Sequence, residues 1–225
     1  MKISVIMPVF NEKGTIEEVL RRIKNVEIKK EIIVVDDYST DGTREILKRI
    51  NDEEIKVIFH SHNKGKGGAI RTARKQISGD IVIIQDADLE YQPEDYLNLV
   101  KPIRDEGADV VYGSRFLGVH EFSSFWHYFG NKFLTWMTNV LYRARLTDME
   151  TCYKVFKALI FLNLNIKARR FDFEPEITAK ILKANLRVVE VPITYYGRCC
   201  EGGKKITWKD GLAALWTLIK YRFVD

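Results

Sequence analysis

The sequence predicts an α/β protein, a mostly parallel, Rossmann-like sheet flanked by helices. Three observations predict it. Over the first 115 residues short apolar runs alternate with amphipathic helical patterns. The runs are continuously apolar, as strands covered on both faces must be. Polar and acidic residues then follow one strand after another, which places them together where open α/β sheets bind ligands.

The elements follow in order. Ile3 to Met7 reads as a strand, and Thr15 to Asn25 as a helix with Ile16, Val19, Leu20 and Ile23 on one face. Ile32 to Val35 is the second strand, followed by a helix over Gly42 to Ile50 with Asp41 as its cap. Ile55 to Phe59 and Ile81 to Ile84 are strands on either side of a helix over Gly67 to Gln76. A helix over Pro93 to Arg104 leads to a strand at Val110 to Tyr112. Beyond Phe116 the alternation weakens. Phe122, Phe125, Trp126, Phe129, Phe133, Trp136, Met137, Val140 and Leu141 recur at helical spacing, a stripe that suits either a core or an apolar platform. Phe171 to Asn185 is a further helix, Arg187 to Val191 a short strand, and Trp208 to Phe223 a final helix ending in Lys220, Tyr221, Arg222 and Phe223, an interfacial pattern. With no repeat, low-complexity stretch or linker, residues 1–225 read as one domain.

Composition narrows the function classes. Of 225 residues, 46% are hydrophobic and 30% charged, which excludes a disordered chain. A net charge of +5 suits anionic partners, but no basic stripe with stacking aromatics is present, so nucleic acid is not expected. Cys152, Cys199 and Cys200 suit neither a disulfide framework nor a zinc site and point to a reducing compartment. His60, His62, His120 and His127 lack zinc-motif spacing. No signal peptide or membrane-spanning run is legible, so a cytoplasmic protein is expected, with peripheral membrane contact through the aromatic helices.

The strongest chemical signal is Asp86-Ala87-Asp88, just past a buried strand. Two carboxylates one residue apart share a face and repel unless a cation neutralises them. Hard oxygen ligands suit Mg²⁺ or Mn²⁺, and Glu90 is a candidate third ligand. Taken alone, the tripeptide fits a solvated acidic turn better, because such tripeptides are common. Asn63 to Gly68 is a glycine-rich loop at a helix start, suited to close approach of a ligand, and it lacks the Walker A spacing.

Met7 to Glu12, Val34 to Thr43, Asn63 to Gly67, Gln85 to Glu90, Gly113 to Phe116 and Thr147 to Lys154 together resemble the family-2 glycosyltransferases of GT-A fold, and within them the dolichol- or polyprenyl-phosphate sugar synthases. The resemblance covers nearly the whole chain and implies a nucleotide-sugar half (1–115) and an acceptor half (116–225). It implies that Pro8, Phe10, Glu12, Asp36 and Asp37 surround the donor base and ribose, although Phe10 lacks the hydroxyl of the tyrosine frequent there. Arg71 resembles a base-contacting arginine. Lys66, Asp86, Ala87, Arg198 and Lys205 complete the donor-binding set, Arg198 with Lys204 and Lys205 resembling a basic loop that closes over diphosphate. Asp86, Asp88 and Glu90 are the implied Mg²⁺ or Mn²⁺ ligands. Arg115 and Asp148 are the implied catalytic pair, Arg115 meeting a phosphate and Asp148 serving as base or orienting the site; Lys132 stands where an acceptor arginine is usual, and Glu150 is a second carboxylate. The implied activity is inverting transfer of a hexose from a UDP- or GDP-sugar to polyprenyl or dolichyl phosphate. A soluble or saccharide hydroxyl acceptor is the alternative. A sugar nucleotidyltransferase fits less well, because Pro8 to Glu12 lacks its glycine-rich basic loop, and a non-catalytic nucleotide-binding module is the last rival.

Overall fold

A seven-stranded sheet organises the chain in a computed structural model that describes residues 1–121, 125–198 and 208–224. In chain order the elements are β1 (Ile3–Val9), α1 (Ile16–Asn25), β2 (Lys30–Asp36), α2 (Thr43–Leu47), β3 (Ile55–Phe59), α3 (Gly65–Ala73), β4 (Ile81–Ile84), α4 (Tyr96–Asp105), β5 (Val110–Ser114), β6 (His120–Glu121), α5 (Phe125–Tyr142), β7 (Lys154–Lys157), α6 (Ala158–Asn163), α7 (Phe173–Lys183), β8 (Val188–Pro192), β9 (Tyr195–Tyr196) and α8 (Trp208–Phe223). The sheet order is β3-β2-β1-β4-β7-β5-β8. Every pairing is parallel except those of β7, which runs antiparallel to both β4 and β5. β6 and β9 form a small separate ribbon, pinned to the main body by a bridge between Tyr91 and Tyr195.

The central strands behave as their apolar runs predict. Ile32 to Val35 and Ile81 to Ile84 are buried, with α1 contributing Ile16, Val19, Leu20 and Ile23 to the same core. Helix boundaries shift for local reasons. α2 starts at Thr43 because Gly42 takes φ 103°, outside any helix, while Asp41 accepts hydrogen bonds from the Thr43 amide (3.0 Å) and hydroxyl (2.6 Å). α3 begins two residues earlier than its apolar pattern does, and Pro93–Asp95 forms a separate 3₁₀ turn ahead of α4.

β7 and α6 are absent from the sequence reading, and β7 is the more consequential. Strands from both halves of the chain enter one sheet, and the reversed direction of β7 brings its leading segment, Asp148 to Tyr153, to the rim where the parallel strands end.

The aromatic stripe on α5 resolves towards the surface. Leu134 and Thr138 are buried, while Phe125, Phe129, Phe133, Trp136 and Val140 are exposed. On α8, Ala214 and Leu218 pack inward, and Leu212, Trp216 and Phe223 face outward. The two helices lie against each other, with the Tyr142 hydroxyl donating to the Leu218 carbonyl at 2.7 Å. Phe122 and the side chains of Trp126 and Trp208 lie outside the described residues. No described helix is long and apolar enough to cross a membrane.

Candidate active site

The carboxyl ends of the parallel strands deliver the predicted acidic residues to one rim. Three of the loops there pass through the left-handed region at non-glycine residues: Asn11 (φ 54°) after β1, Tyr38 (φ 68°) after β2 and Leu89 (φ 63°) after β4. Such strain costs about 1 kcal/mol or more per residue and tends to collect at functional sites. Side-chain bonds hold the first two loops together. The Asn11 amide donates to Ser39 Oγ (2.9 Å), and the Thr40 amide donates to Asn11 Oδ1 (2.9 Å).

The centre of the rim is an acidic row bridged by one guanidinium. Arg198 donates to both oxygens of Glu12 (3.1 and 3.0 Å) and lies 3.2 Å from Asp88 Oδ2. Its backbone amide donates to Glu90 Oε1 (2.9 Å), and the Tyr195 hydroxyl donates to Glu90 Oε2 (2.7 Å). Glu12 also accepts from the Thr15 hydroxyl, which donates as well to the Ala87 carbonyl. Burial pushes the Asp88 carboxyl up to about 7, and Asp86 and Glu90 push the same way while Arg198 opposes them.

A second cation sits one residue along. Lys66, from α3, lies 2.9 Å from Asp86 Oδ1 and 2.7 Å from Glu174 Oε1. Burial works against its charge, yet Asp86, Cys152 and Glu174 hold its pKa well above the ordinary lysine value. The Cys152 thiol beside it is pushed up by burial.

The expected ion site has fitting chemistry without being preassembled. Asp86 and Asp88 offer hard oxygens of the kind a divalent ion takes. Among the described residues, however, no three His, Cys, Asp or Glu side chains converge to hold an ion. The chain's own cations stand there, Lys66 on Asp86 and Arg198 on Asp88, and Glu90 is turned to Tyr195 and the Arg198 amide.

Asp36 and Asp37, expected beside the donor base, are buried at the end of the second strand. Asp36 is wholly buried, accepts from the Ser39 amide and pairs with Arg44 at 3.4 Å. Asp37 accepts from His60 Nδ1 (2.7 Å) and from the Lys64 (2.8 Å) and Gly65 (2.7 Å) amides, so it anchors the glycine-rich loop. Pro8 and Phe10 stay partly exposed at the end of β1, and Ala87 is buried. Arg71 does not join the acidic row. Its guanidinium donates to the Lys167 carbonyl at 3.3 Å, in a shallow hollow shared with Arg74, Lys75 and Leu162. Lys204 and Lys205 lie outside the described residues.

On the acceptor side, Asp148 is paired with Arg115. It is fully buried and clamps Arg115 in a bidentate pair, accepting from Nε and Nη2 at 2.7 Å each and from the Arg115 amide at 3.0 Å. Both oxygens are committed, so Asp148 orients Arg115. Glu190 in turn accepts from the Thr147 and Asp148 amides. The Arg115 guanidinium stacks 5.2 Å from the Tyr195 ring, and Lys132 lies 3.7 Å from the Phe116 ring. Tyr195 thus touches both the acceptor-side arginine and the donor-side Glu90.

Glu150 differs from Asp148. It is half-buried, its Oε1 has no partner, and burial with the nearby Glu174 pushes its carboxyl up to about 7 against Lys154 and Arg115. Sequence reasoning missed His60, Glu174, Glu190 and Tyr195. Charged residues inside α7 and β8, which otherwise run apolar, were the available signal for the two glutamates.

The family model described as glycosyl transferase family 2 matches residues 4–161. An uncharacterized protein from Methanocaldococcus jannaschii is 34% identical over 199 residues, covering 85% of this chain and 80% of its own. A UDP-N-acetylglucosamine–dolichyl-phosphate N-acetylglucosaminyltransferase from Methanococcus voltae is 30% identical over 212 residues, covering 85% and 84%. Two other relatives are longer, and the chain spans 53% and 34% of their lengths. Among solved structures, glucosyl-3-phosphoglycerate synthase from Mycobacterium tuberculosis, in complex with Mn²⁺, uridine diphosphate and phosphoglyceric acid, matches with a TM-score of 0.76 at 19% identity, over 100% of this chain and 79% of that one. That likeness shows the GT-A fold.

Proposed function

Because the chain belongs to glycosyl transferase family 2, we propose that it transfers a hexose, with inversion, from a UDP- or GDP-sugar to a polyprenyl or dolichyl phosphate. The observation that carries the donor half is the acidic row at the strand ends, with Glu12, Asp86, Asp88 and Glu90 gathered around Arg198 and Lys66. Asp86 and Asp88 would hold Mg²⁺ or Mn²⁺, and Glu90 would join only on release from the Tyr195 hydroxyl and the Arg198 amide. Held by these residues, the ion would supply positive charge to offset that on the departing diphosphate. Pro8, Phe10 and Glu12 border the nucleoside from the end of β1. Asp37 acts one step removed, by fixing the loop that carries Lys66.

The acceptor half rests on Arg115. Held rigid by Asp148, its guanidinium orients an incoming phosphate, with Lys132 as a second cation beside Phe116. A phosphate oxygen is already ionised and needs no base, which suits a site where Asp148 is fully engaged. In the transfer, an acceptor oxygen forms its bond to the anomeric carbon while the bond from that carbon to the diphosphate oxygen breaks, and the nucleoside diphosphate leaves. The relative named for a dolichyl-phosphate acceptor supports this reading. So does the outward apolar face of α5 and α8, which suits a peripheral seat on a bilayer surface.

One observation favours a second reading, a hydroxyl acceptor. Glu150 carries an unpartnered buried oxygen that could take a hydroxyl proton. The experiment that separates the two is a panel of nucleotide sugars with Mg²⁺ or Mn²⁺, each offered a short polyprenyl phosphate or soluble saccharides. Transfer to the lipid phosphate is expected. Transfer to saccharides alone would overturn the preferred acceptor, and no metal-stimulated turnover of any donor would overturn the activity.

A further inference from the structure

We propose that Arg198 is a built-in counterion that fills the divalent-ion position of the ion-free enzyme, so that metal and donor must displace it before the acidic row can coordinate. This rests on the metal-dependent donor site proposed above.

The geometry is specific. One guanidinium meets two carboxylates from different strand ends, Glu12 after β1 through both terminal nitrogens and Asp88 after β4 at 3.2 Å, with Nε 4.0 Å from Glu90. A monovalent cation spread over a planar group replaces a compact divalent one in the same negative field. The guanidinium reaches Glu12 and Asp88 but leaves Glu90 at 4.0 Å, so it cannot serve all the carboxylates at once.

The backbone of Arg198 is fixed while its side chain is not enclosed. The Arg198 amide is bonded to Glu90, the Tyr196 amide to the Glu90 carbonyl, and the Gly197 amide to the Glu121 carbonyl. The side chain itself remains about a third exposed. It can therefore leave Asp88 by rotation about its own bonds, with the tether to Glu90 intact. Once displaced, it stays within reach of an anionic donor at the same rim. The exchange also takes Arg198 off both Glu12 oxygens, leaving the Thr15 hydroxyl donating to that carboxylate.

The consequence is a coupled equilibrium. A site whose competent state is only partly populated shows weaker apparent affinity by that fraction. Removing the arginine should tighten metal binding in the absence of nucleotide while weakening retention of the nucleoside diphosphate. A residue that merely braces the fold would weaken both.

The test is calorimetric titration of Mn²⁺ into the full chain without nucleotide, for the wild type, Arg198→Gln and Arg198→Lys, followed by titration of uridine and guanosine diphosphate at saturating Mn²⁺. Arg198→Gln should bind Mn²⁺ about tenfold more tightly than wild type, the size expected when a populated competing state is removed. It should bind the nucleoside diphosphate more weakly, and Arg198→Lys should fall between. Thermal melts identify a variant that fails to fold; Arg198→Lys, which keeps the charge, then carries the comparison. Equal or weaker Mn²⁺ binding by folded Arg198→Gln, with wild type binding Mn²⁺ normally, overturns the counterion role and leaves the metal site standing. Absence of Mn²⁺ binding in every form, even with nucleoside diphosphate present, overturns both.

Discussion

Replacing Asp148 with asparagine tests the acceptor side most directly, because the substitution preserves shape and removes only charge. The carboxylate is fully buried, its Arg115 partner is 7% exposed, and three hydrogen bonds join them. Removing one member of such a pair leaves an uncompensated buried charge, at a cost of about 3–5 kcal/mol. For a chain of this size each kcal/mol lowers the melting temperature by about 2–4 °C, so Asp148→Asn should melt about 10 °C below wild type. Arg115→Met should lose a similar amount. The double variant Arg115→Met/Asp148→Leu should recover much of the loss, since no buried charge is left unpaired. The double variant should still fail to transfer sugar, which separates stability from function. A second readout distinguishes positioning from proton transfer. If Asp148 only orients Arg115, the residual rate of Asp148→Asn follows the wild-type pH profile. Loss of the acid limb would mean that Asp148 is the base. A melting temperature within 2 °C of wild type would mean that the clamp on Arg115 is not what the distances indicate.

Three further outcomes follow from the geometry. Asp88 binds its proton more tightly folded than unfolded, with its folded value near 7 against 3.8. The ion-free protein should therefore lose stability as pH rises from about 4 to about 7, and Asp88→Asn should flatten that slope in melts recorded with a chelator. A Cβ on Gly67 would sit 2.5 Å from the Ala168 carbonyl oxygen, so Gly67→Ala should cost about 1–3 kcal/mol in chemical denaturation, and unchanged stability would rule out the close approach. Trp136 and Trp216 are more than half exposed, so the double change to serine should alter stability by no more than about 0.5 kcal/mol. The same change should abolish sedimentation with anionic lipid vesicles, and undiminished sedimentation would sink the peripheral-seat proposal.

The parts of the site that were legible in the sequence share one property. Glu12, Asp36, Asp37, Asp86 and Asp88 each follow a continuously apolar run, and a chain that keeps laying parallel strands must carry whatever follows them to the same rim. Which of those carboxylates faces the site was not legible, because a neighbour distant in sequence decides it: His60 and the loop amides draw Asp37 inward, and Arg198 keeps Glu12 and Asp88 together. The acceptor side hid for another reason. β7 is four residues long, carries a lysine at each end, and reads as no strand at all. The Lys154 ammonium is buried at the start of this interior strand, where the Met149 and Thr151 carbonyls accept its hydrogen bonds, a local solution that periodicity does not reveal. Because β7 runs backward, the residues that precede it are the ones at the rim. Asp148 and Glu150 could therefore be named from motif resemblance, yet their division of labour, one carboxylate clamped to Arg115 and the other holding an unpartnered oxygen, depends on a strand direction that no hydrophobic pattern encodes.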